Sequence, residues 1–194
     1  LMTERIRKVI LDILYYAKER ELQLERINVL DFVKDLAEAI KPKMRDADIE
    51  LICDFKPSLG EFEIDAGVLR SALINILENA VEACLEDASD RTHQIHFRVE
   101  NVDGQIVLNV GDNGVGLQGE ELKNIFTIFF STKGNKGTGL GLFIADKIIR
   151  QHGGTISVDS TPGQGSTFRV MLPRKFSEKA TVTSLVYEHE KTRL

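Results

Sequence analysis

Asn75 and Asn79 stand four residues apart in the run LINILENAVEA, and Glu82 follows three residues later. On a helix this spacing stacks all three on one face, beside an apolar stripe of Leu69, Leu73, Ile76, Ala80 and Cys84. Amides that border a core need partners. A hard cation such as Mg²⁺, shared with phosphate oxygens, would supply them, because an amide carbonyl is a suitable oxygen ligand. A solvated polar stripe has the same spacing, so these residues alone decide nothing, and Glu78 can aim at the same cleft or at solvent. Asp112 ends a strand-like run and precedes Gly114 and Gly116. A carboxylate there can accept a hydrogen bond from the exocyclic amine of a flat base, and the glycines let the backbone come close to the ring. An ordinary Asp turn is the plainer explanation.

A second glycine cluster, Gly137-Thr138-Gly139-Leu140-Gly141-Leu142, stands where a helix should open. Backbone N–H groups at such a start form an anion site, and Lys133 and Lys136 just upstream add positive charge. Between the clusters, Phe126, Phe129 and Phe130 crowd a segment that otherwise reads as loop. Core packing is their default role, and anchoring a mobile lid is the competing one. Read together, two glycine clusters, one acid and two aligned amides point to a pocket for a nucleotide and its metal ion, and so to an ATP-using catalytic domain. GVGLQG at 114–119 also fits the dinucleotide pattern G-x-G-x-x-G. The next strand-like run, IFTIFF, ends in Ser131, Thr132 and Lys133 rather than in an acid for a ribose, so that match is accidental. The sequence holds no G-x-x-x-x-G-K-[ST] phosphate loop.

The bulk of the chain narrows the classes further. Its 194 residues, 42% hydrophobic and 28% charged, suit one sizeable domain with an appendage. A net charge of -5 argues against a broad nucleic-acid surface. The apolar run at 6–17 is broken by Arg7, Lys8 and Asp12, so nothing reads as a membrane span or signal peptide. Cys53 and Cys84 are expected to be small buried hydrophobes in a reducing compartment. The four histidines lack metal-ligand spacing. The chain opens directly into a helical pattern at Leu1-Met2, which reads as a piece of a longer protein.

The elements that must position these residues follow from periodicity. Ile6, Ile10, Ile13, Ala17 and Leu24 form a short heptad seam that predicts a helix over 3–26. A second helix is expected at 30–46, kinked or stopped by Pro42. Strands at 50–55 and 61–65 should pair across a Pro57/Gly60 turn, followed by a strong helix at 67–87. Strands at 93–101 and 105–112 join at Asp103-Gly104, a hairpin signal. Residues 113–136 read as a long loop with one short helix at 120–125, a length that is uncommon unless functional. A helix at 138–152 stops at Gly153-Gly154, and strands at 154–160 and 166–172 close the domain.

Taken together these residues resemble the ATP-binding catalytic domain of bacterial sensor histidine kinases, in the GHKL superfamily. The Asn box resembles Asn75-Ile76-Leu77-Glu78-Asn79-Ala80, the first glycine box Asp112-Asn113-Gly114-Val115-Gly116, and the F box residues 126–133. The second glycine box corresponds to 137–142 and the last to Gly163-Gln164-Gly165-Ser166-Thr167-Phe168. The motifs stand in the family's order over 65–173. The F box with Lys133 is most similar to the nitrogen-regulatory branch, and residues 5–24 resemble the second helix of the dimerisation and phosphoacceptor module.

The resemblance implies an α+β fold: a two-layer sandwich with a mixed sheet and three helices on one face, preceded by a long N-terminal helix. It divides the chain into part of the helical module at 1–26, the ATP-binding domain at 27–173 and a tail at 174–194. It implies transfer of the ATP γ-phosphoryl group to a histidine outside this chain and then to a response-regulator aspartate. Asn79 would hold Mg²⁺, with Asn75 beside the phosphates. Asp112 would take the adenine amine, with Thr167 supporting it through water and Gly114 and Gly116 letting the ring approach. Lys133 and the amides of Gly137, Thr138, Gly139, Leu140 and Gly141 would hold the phosphates, and Glu78 is a candidate for polarising the acceptor imidazole. The implied partners are ATP and ADP, a receiver domain, and a second copy through the N-terminal helix, with no nucleic acid and no membrane contact from this segment. The implied compartment is the cytoplasm, with a parent protein that can be membrane-anchored.

Two departures stand out. Many members carry a lysine three residues after the second Asn, where this chain has Glu82. The phosphoacceptor histidine is also missing, and His189-Glu190-Lys191-Thr192 echoes its motif only by chance. In hydrolysing relatives a Glu at the position of Asn75 activates water, which an amide cannot do. That favours a kinase over an ATPase clamp. A serine kinase with the same pocket and a non-catalytic nucleotide-sensing module are the remaining rivals.

Overall fold

Apolar residues recur at every second position in three runs: Ile95, Phe97 and Val99; Ile106, Leu108 and Val110; Phe168, Val170 and Leu172. All nine are buried. In the computed structural model, which describes residues 21–133 and 137–176, they share one face of a five-stranded sheet. The strand order is β2 (Ile49–Phe55), β4 (His93–Val102), β5 (Gln105–Asp112), β7 (Gly165–Pro173) and β6 (Thr155–Thr161). β2 runs parallel to β4 and every other pair is antiparallel. The register sets Val110 between Phe97 and Phe168, and Leu108 between Val99 and Val170, so the three rows form one apolar floor.

Helices α1 (Val29–Asp46), α2 (Ala66–Leu85) and α4 (Gly141–Gln151) make the second layer, with the short α3 (Gly119–Asn124) in the loop between β5 and α4. The fold is the expected α+β sandwich. α2 is the central helix, touching α1, α4 and β5. Its stripe of Leu69, Leu73, Ile76, Ala80 and Cys84 is buried, as the periodicity predicts. Asp65 caps its start, accepting from the Val68 N–H at 3.2 Å.

Three expectations change. The runs at 50–55 and 61–65 do not pair with each other. β2 lies on β4, while β3 (Glu61–Ile64) pairs antiparallel with β1 (Glu25–Asn28) in a separate two-stranded sheet. A turn signal between two strands reports a change of direction and says nothing of which edge each strand meets. Secondly, the helix expected over 3–26 does not reach its end, because Glu25 and Arg26 belong to β1; its positions 3–20 lie outside the described residues. Thirdly, Pro42 does not stop α1, which fills the expected span to Asp46. Pro42 faces solvent while Met44 beyond it is 2% exposed, so burial of the last turn outweighs the lost hydrogen bond. Cys84 is buried, with its thiol pushed up to about 11 by burial above all, but Cys53 is exposed on the edge strand.

His152 ties the ends of two helices together. Its Nε2 accepts from the Asp65 N–H at 3.0 Å, and its Nδ1 lies 2.8 Å from the Ile148 carbonyl, to which it donates in the matching tautomer. Burial holds its pKa below the usual histidine value, against smaller opposing effects of the Ile148 carbonyl and Asp65. The neutral ring fills both roles and the charged ring does not, because a protonated Nε2 would face an N–H. The stability this group contributes is therefore complete above the unfolded-state pKa of about 6.5 and is lost as pH falls from there through the folded value. Melting temperature measured from about pH 7.5 to about pH 5 should fall more steeply in the wild type than in His152→Gln. Parallel profiles would contradict this account.

Candidate functional site

Period-two alternation carries the inward row of β5 from Ile106 through Leu108 and Val110 to Asp112. The carboxylate consequently enters the core side at the strand's end and is 9% exposed. Oδ1 accepts from the Gly114 N–H at 2.9 Å and the Ser166 N–H at 3.3 Å. Among the described residues Oδ2 is buried with no hydrogen-bond partner. Burial raises the Asp112 pKa, against the opposing pull of the two amides and Lys133. A buried acceptor left alone costs about 1–3 kcal/mol, so this atom calls for a donor from a ligand.

Asp112 opens onto a cleft of about 500 Å³, a usual size for a small-molecule site. α2 contributes Asn75, Asn79 and Glu82 to one wall, and the loop that follows β5 contributes Gly116, Lys133 and Gly137 to another. Asn75 is 6% exposed. Asn79 Nδ2 donates to the Asn75 backbone carbonyl at 2.8 Å, which turns Asn79 Oδ1 toward the cleft. There it accepts from Lys133 Nζ at 3.0 Å, and the same ammonium pairs with Glu82. Asn79 Oδ1 is thus directed into the cleft at a cation. Among the described residues no group of three or more His, Cys, Asp and Glu converges as a metal site. An ion here would take its remaining oxygens from phosphates and water. Glu78 stands at the rim, paired with Lys43 of α1.

The loop reaches this position by close contact. Val115 N–H donates to the Ala83 carbonyl at 3.1 Å, and a Cβ on Gly114 would lie 2.4 Å from that carbonyl. Gly114 therefore docks the loop on α2 rather than lining the cleft. Gly165 is constrained more tightly: its φ is +103° and a Cβ would fall 2.0 Å from the Asp112 carbonyl oxygen. Gly165→Ala should lower stability by roughly 2–4 kcal/mol through overpacking and backbone strain. A melting temperature within about 2 °C of wild type would refute that reading.

Further corrections concern the second and last glycine clusters. α4 begins at Gly141, three residues later than the sequence predicts. Gly139 takes φ +64°, which no right-handed helix accepts, and its carbonyl accepts from the Phe129 N–H at 3.0 Å. Gly137, Thr138 and Gly139 thus line the cleft as loop, and only Gly141 does so as the first residue of the helix. Leu140 is 3% exposed and belongs to the core, so its side chain has no place in the cleft. Lys136 lies outside the described residues.

Thr167 is exposed and does not line the cleft. It pairs with Gly111, and a Cβ on Gly111 would meet Thr167 Oγ1 at 3.2 Å, so both face the outer side of the sheet. Ser166, 6% exposed, is the residue beside Asp112. The sequence carries a signal for it: Phe168, Val170 and Leu172 face inward, and the same alternation extends to 166. Phe126 and Phe130 pack against the core, whereas Phe129 is 68% exposed at φ +64°.

Residues 64–175 match the family described as histidine kinase-, DNA gyrase B-, and HSP90-like ATPase. The sensor histidine kinase ZraS of Klebsiella oxytoca is 31% identical over 177 residues, covering 91% of this chain and 37% of that protein. The chain thus spans little more than a third of that curated relative's length. Among solved structures, the nucleotide-free catalytic domain of the histidine kinase ThkA superposes with a TM-score of 0.68 at 27% identity, covering 80% of this chain and 97% of that one. ThkA in complex with the response regulator protein TrrA gives a TM-score of 0.73 at 26% identity, covering 89% of this chain and 48% of that one. Asp112, the Asn75/Asn79 wall and the glycine loop meet inside the matched region. The chain belongs to the histidine kinase-, DNA gyrase B-, and HSP90-like ATPase family, as an ATP-binding catalytic domain of the sensor histidine kinase kind.

Proposed function

We propose that this domain positions ATP for transfer of its γ-phosphoryl group to a histidine of the parent kinase. The observation that carries the reading is Asp112 Oδ2, a buried unpartnered acceptor in the same cleft as Asn79 Oδ1 and Lys133. Asp112 takes the adenine amine, with Ser166 beside it holding the carboxylate through its N–H. The triphosphate extends along α2 toward Asn75, Asn79 and Lys133, with the glycine loop at Gly137, Thr138 and Gly139 beside its oxygens. Asn79 would hold Mg²⁺ through Oδ1, and the ion, when bound, would neutralise charge on the phosphate oxygens. In the transfer, an imidazole nitrogen forms a bond to the γ-phosphorus as the bond to the bridging oxygen breaks and ADP leaves. Such a step needs mostly positioning and charge neutralisation. Asn75 cannot deprotonate water, which favours transfer over hydrolysis. Glu78, which lines the cleft, is the candidate for polarising the incoming imidazole.

The wider proposal gives 27–173 to the nucleotide-binding unit and the residues ahead of β1 to a helical module that dimerises and carries the acceptor. The onward acceptor is an aspartate of a response-regulator receiver domain, supported by the ThkA relative solved with its response regulator. Among the described residues no helix is long and apolar enough to cross a membrane, and the cytoplasm is the proposed compartment. The parent kinase incubated with γ-labelled ATP should acquire label that is acid-labile and alkali-stable. Acid-stable label, or release of inorganic phosphate with no labelled protein, would overturn the assignment.

A further inference from the structure

Lys133 is held in a way that the nucleotide-binding reading, on which this inference rests, does not require. Its Nζ donates to Asn79 Oδ1 at 3.0 Å and pairs with Glu82, and the lysine side chain is 17% exposed against 53% for Glu82. The two acceptors stand three residues apart on α2, about one helical turn, and both line the cleft. The ammonium therefore caps the oxygen that a divalent ion needs, and a carboxylate stands where incoming phosphate oxygens would be repelled. Glu78, Glu86 and Glu121 also line the cleft. A tetra-anionic nucleotide thus enters a site rich in carboxylates whose one described lysine is already paired.

We propose that Glu82 is a positioning residue that parks Lys133 on Asn79 in the nucleotide-free domain, so that a triphosphate enters by charge exchange. Departure of Lys133 from this pair does two things at once. It uncovers Asn79 Oδ1 for the metal, and it delivers the ammonium to the phosphates. A ligand without phosphates reaches Asp112 with the pair intact, whereas a metal–triphosphate must open it. Glu82 therefore acts on discrimination by phosphate number and not on recognition of the base. The cost of opening is that of a half-exposed ion pair, which corresponds to a few-fold change in affinity.

The test is a double-mutant cycle read by calorimetry with two ligands, adenosine and Mg²⁺ with a non-hydrolysable ATP analogue, on wild type, Glu82→Gln, Lys133→Met and the double variant. The expected result is that Glu82→Gln tightens the analogue about three- to tenfold and leaves adenosine within about twofold. In the Lys133→Met background the same substitution should tighten the analogue markedly less, because only direct repulsion by Glu82 is then removed. Melting temperatures of the four proteins establish that all are folded. Equal tightening in the Lys133→Met background would mean that Glu82 acts only by general repulsion, and would overturn the proposal. Weaker binding of the metal–analogue complex by Glu82→Gln would make Glu82 a metal ligand, and would overturn it too. Equal change for both ligands would reduce Glu82 to a structural role, and would overturn it as well. A folded wild type that binds neither ligand would instead overturn the nucleotide reading itself, and the parked lysine with it.

Discussion

Asp112→Asn should abolish adenine nucleotide binding, by about 100-fold or more, in a protein that melts at or above the wild-type temperature. The variant keeps Oδ1 as the acceptor for the Gly114 and Ser166 amides, which hold the loop and the end of β7 in place. What changes is Oδ2, the buried atom without a partner, which becomes an N–H₂ group facing the adenine amine. Two donors then oppose each other in a buried site, which loses the charge-assisted hydrogen bond and adds a desolvation penalty. The stability sign runs the other way. Burial raises the folded-state pKa of Asp112, so the stability this carboxyl contributes is present below the unfolded pKa and lost as pH rises through the folded one. Above the unfolded pKa the burial of this carboxyl therefore works against the nucleotide-free fold, and a neutral amide removes that cost. Calorimetric titration and melting of the two proteins check both halves. Affinity within about threefold of wild type would remove Asp112 from the base site.

Asn79→Ala should separate base recognition from phosphoryl transfer. Adenosine affinity should stay within about twofold, because the hydrogen bonds of Asn79 go to the Asn75 carbonyl and Lys133 and not to Asp112 or its amide partners. Labelling of the parent kinase should fall about 10²–10³-fold, the size of effect seen when one aligned electrostatic contact to a transferring group is lost. In the cleft the Asn79 side-chain carbonyl meets the Lys133 ammonium, while its Nδ2 is engaged with the Asn75 backbone. Alanine keeps the helix and removes both. Labelling within about tenfold of wild type would show that the metal is held elsewhere.

Much of this site is legible in the sequence because its parts sit on regular elements. The Asn75/Asn79 spacing lies on a helix whose apolar stripe is unambiguous, and Asp112 ends a strand whose alternation is equally clear. Both periodicities are local, so a single sequence carries them. What the sequence misplaces is non-local or hinges on backbone signs. β2 and β3 choose edges far away in the chain, Ile49 meeting His93 and Glu61 meeting Asn28, and no local pattern names those partners. Gly-Thr-Gly reads as a helix entry, and so sets the start of α4 too early, until Gly139 is known to sit at positive φ against Phe129. Thr167 stands in for Ser166 in the sequence reading although the inward row of β7 passes through 166, an error of one residue that reverses the face. Glu82 is visible as part of the polar stripe, but its pairing with Lys133 joins residues 51 apart and emerges only from the fold.

The most direct test of the account is an amide NMR titration of the chain, first with adenosine and then with Mg²⁺ and a non-hydrolysable ATP analogue. Adenosine should move the amides of Gly114, Gly116 and Ser166 around Asp112 and leave that of Asn79 unchanged. The metal–triphosphate should move those same amides and, in addition, those of Asn79, Lys133 and the Gly137–Gly141 loop. Shifts confined to another surface, or none in a well-folded protein, would contradict the claim that this cleft holds ATP with its base on Asp112.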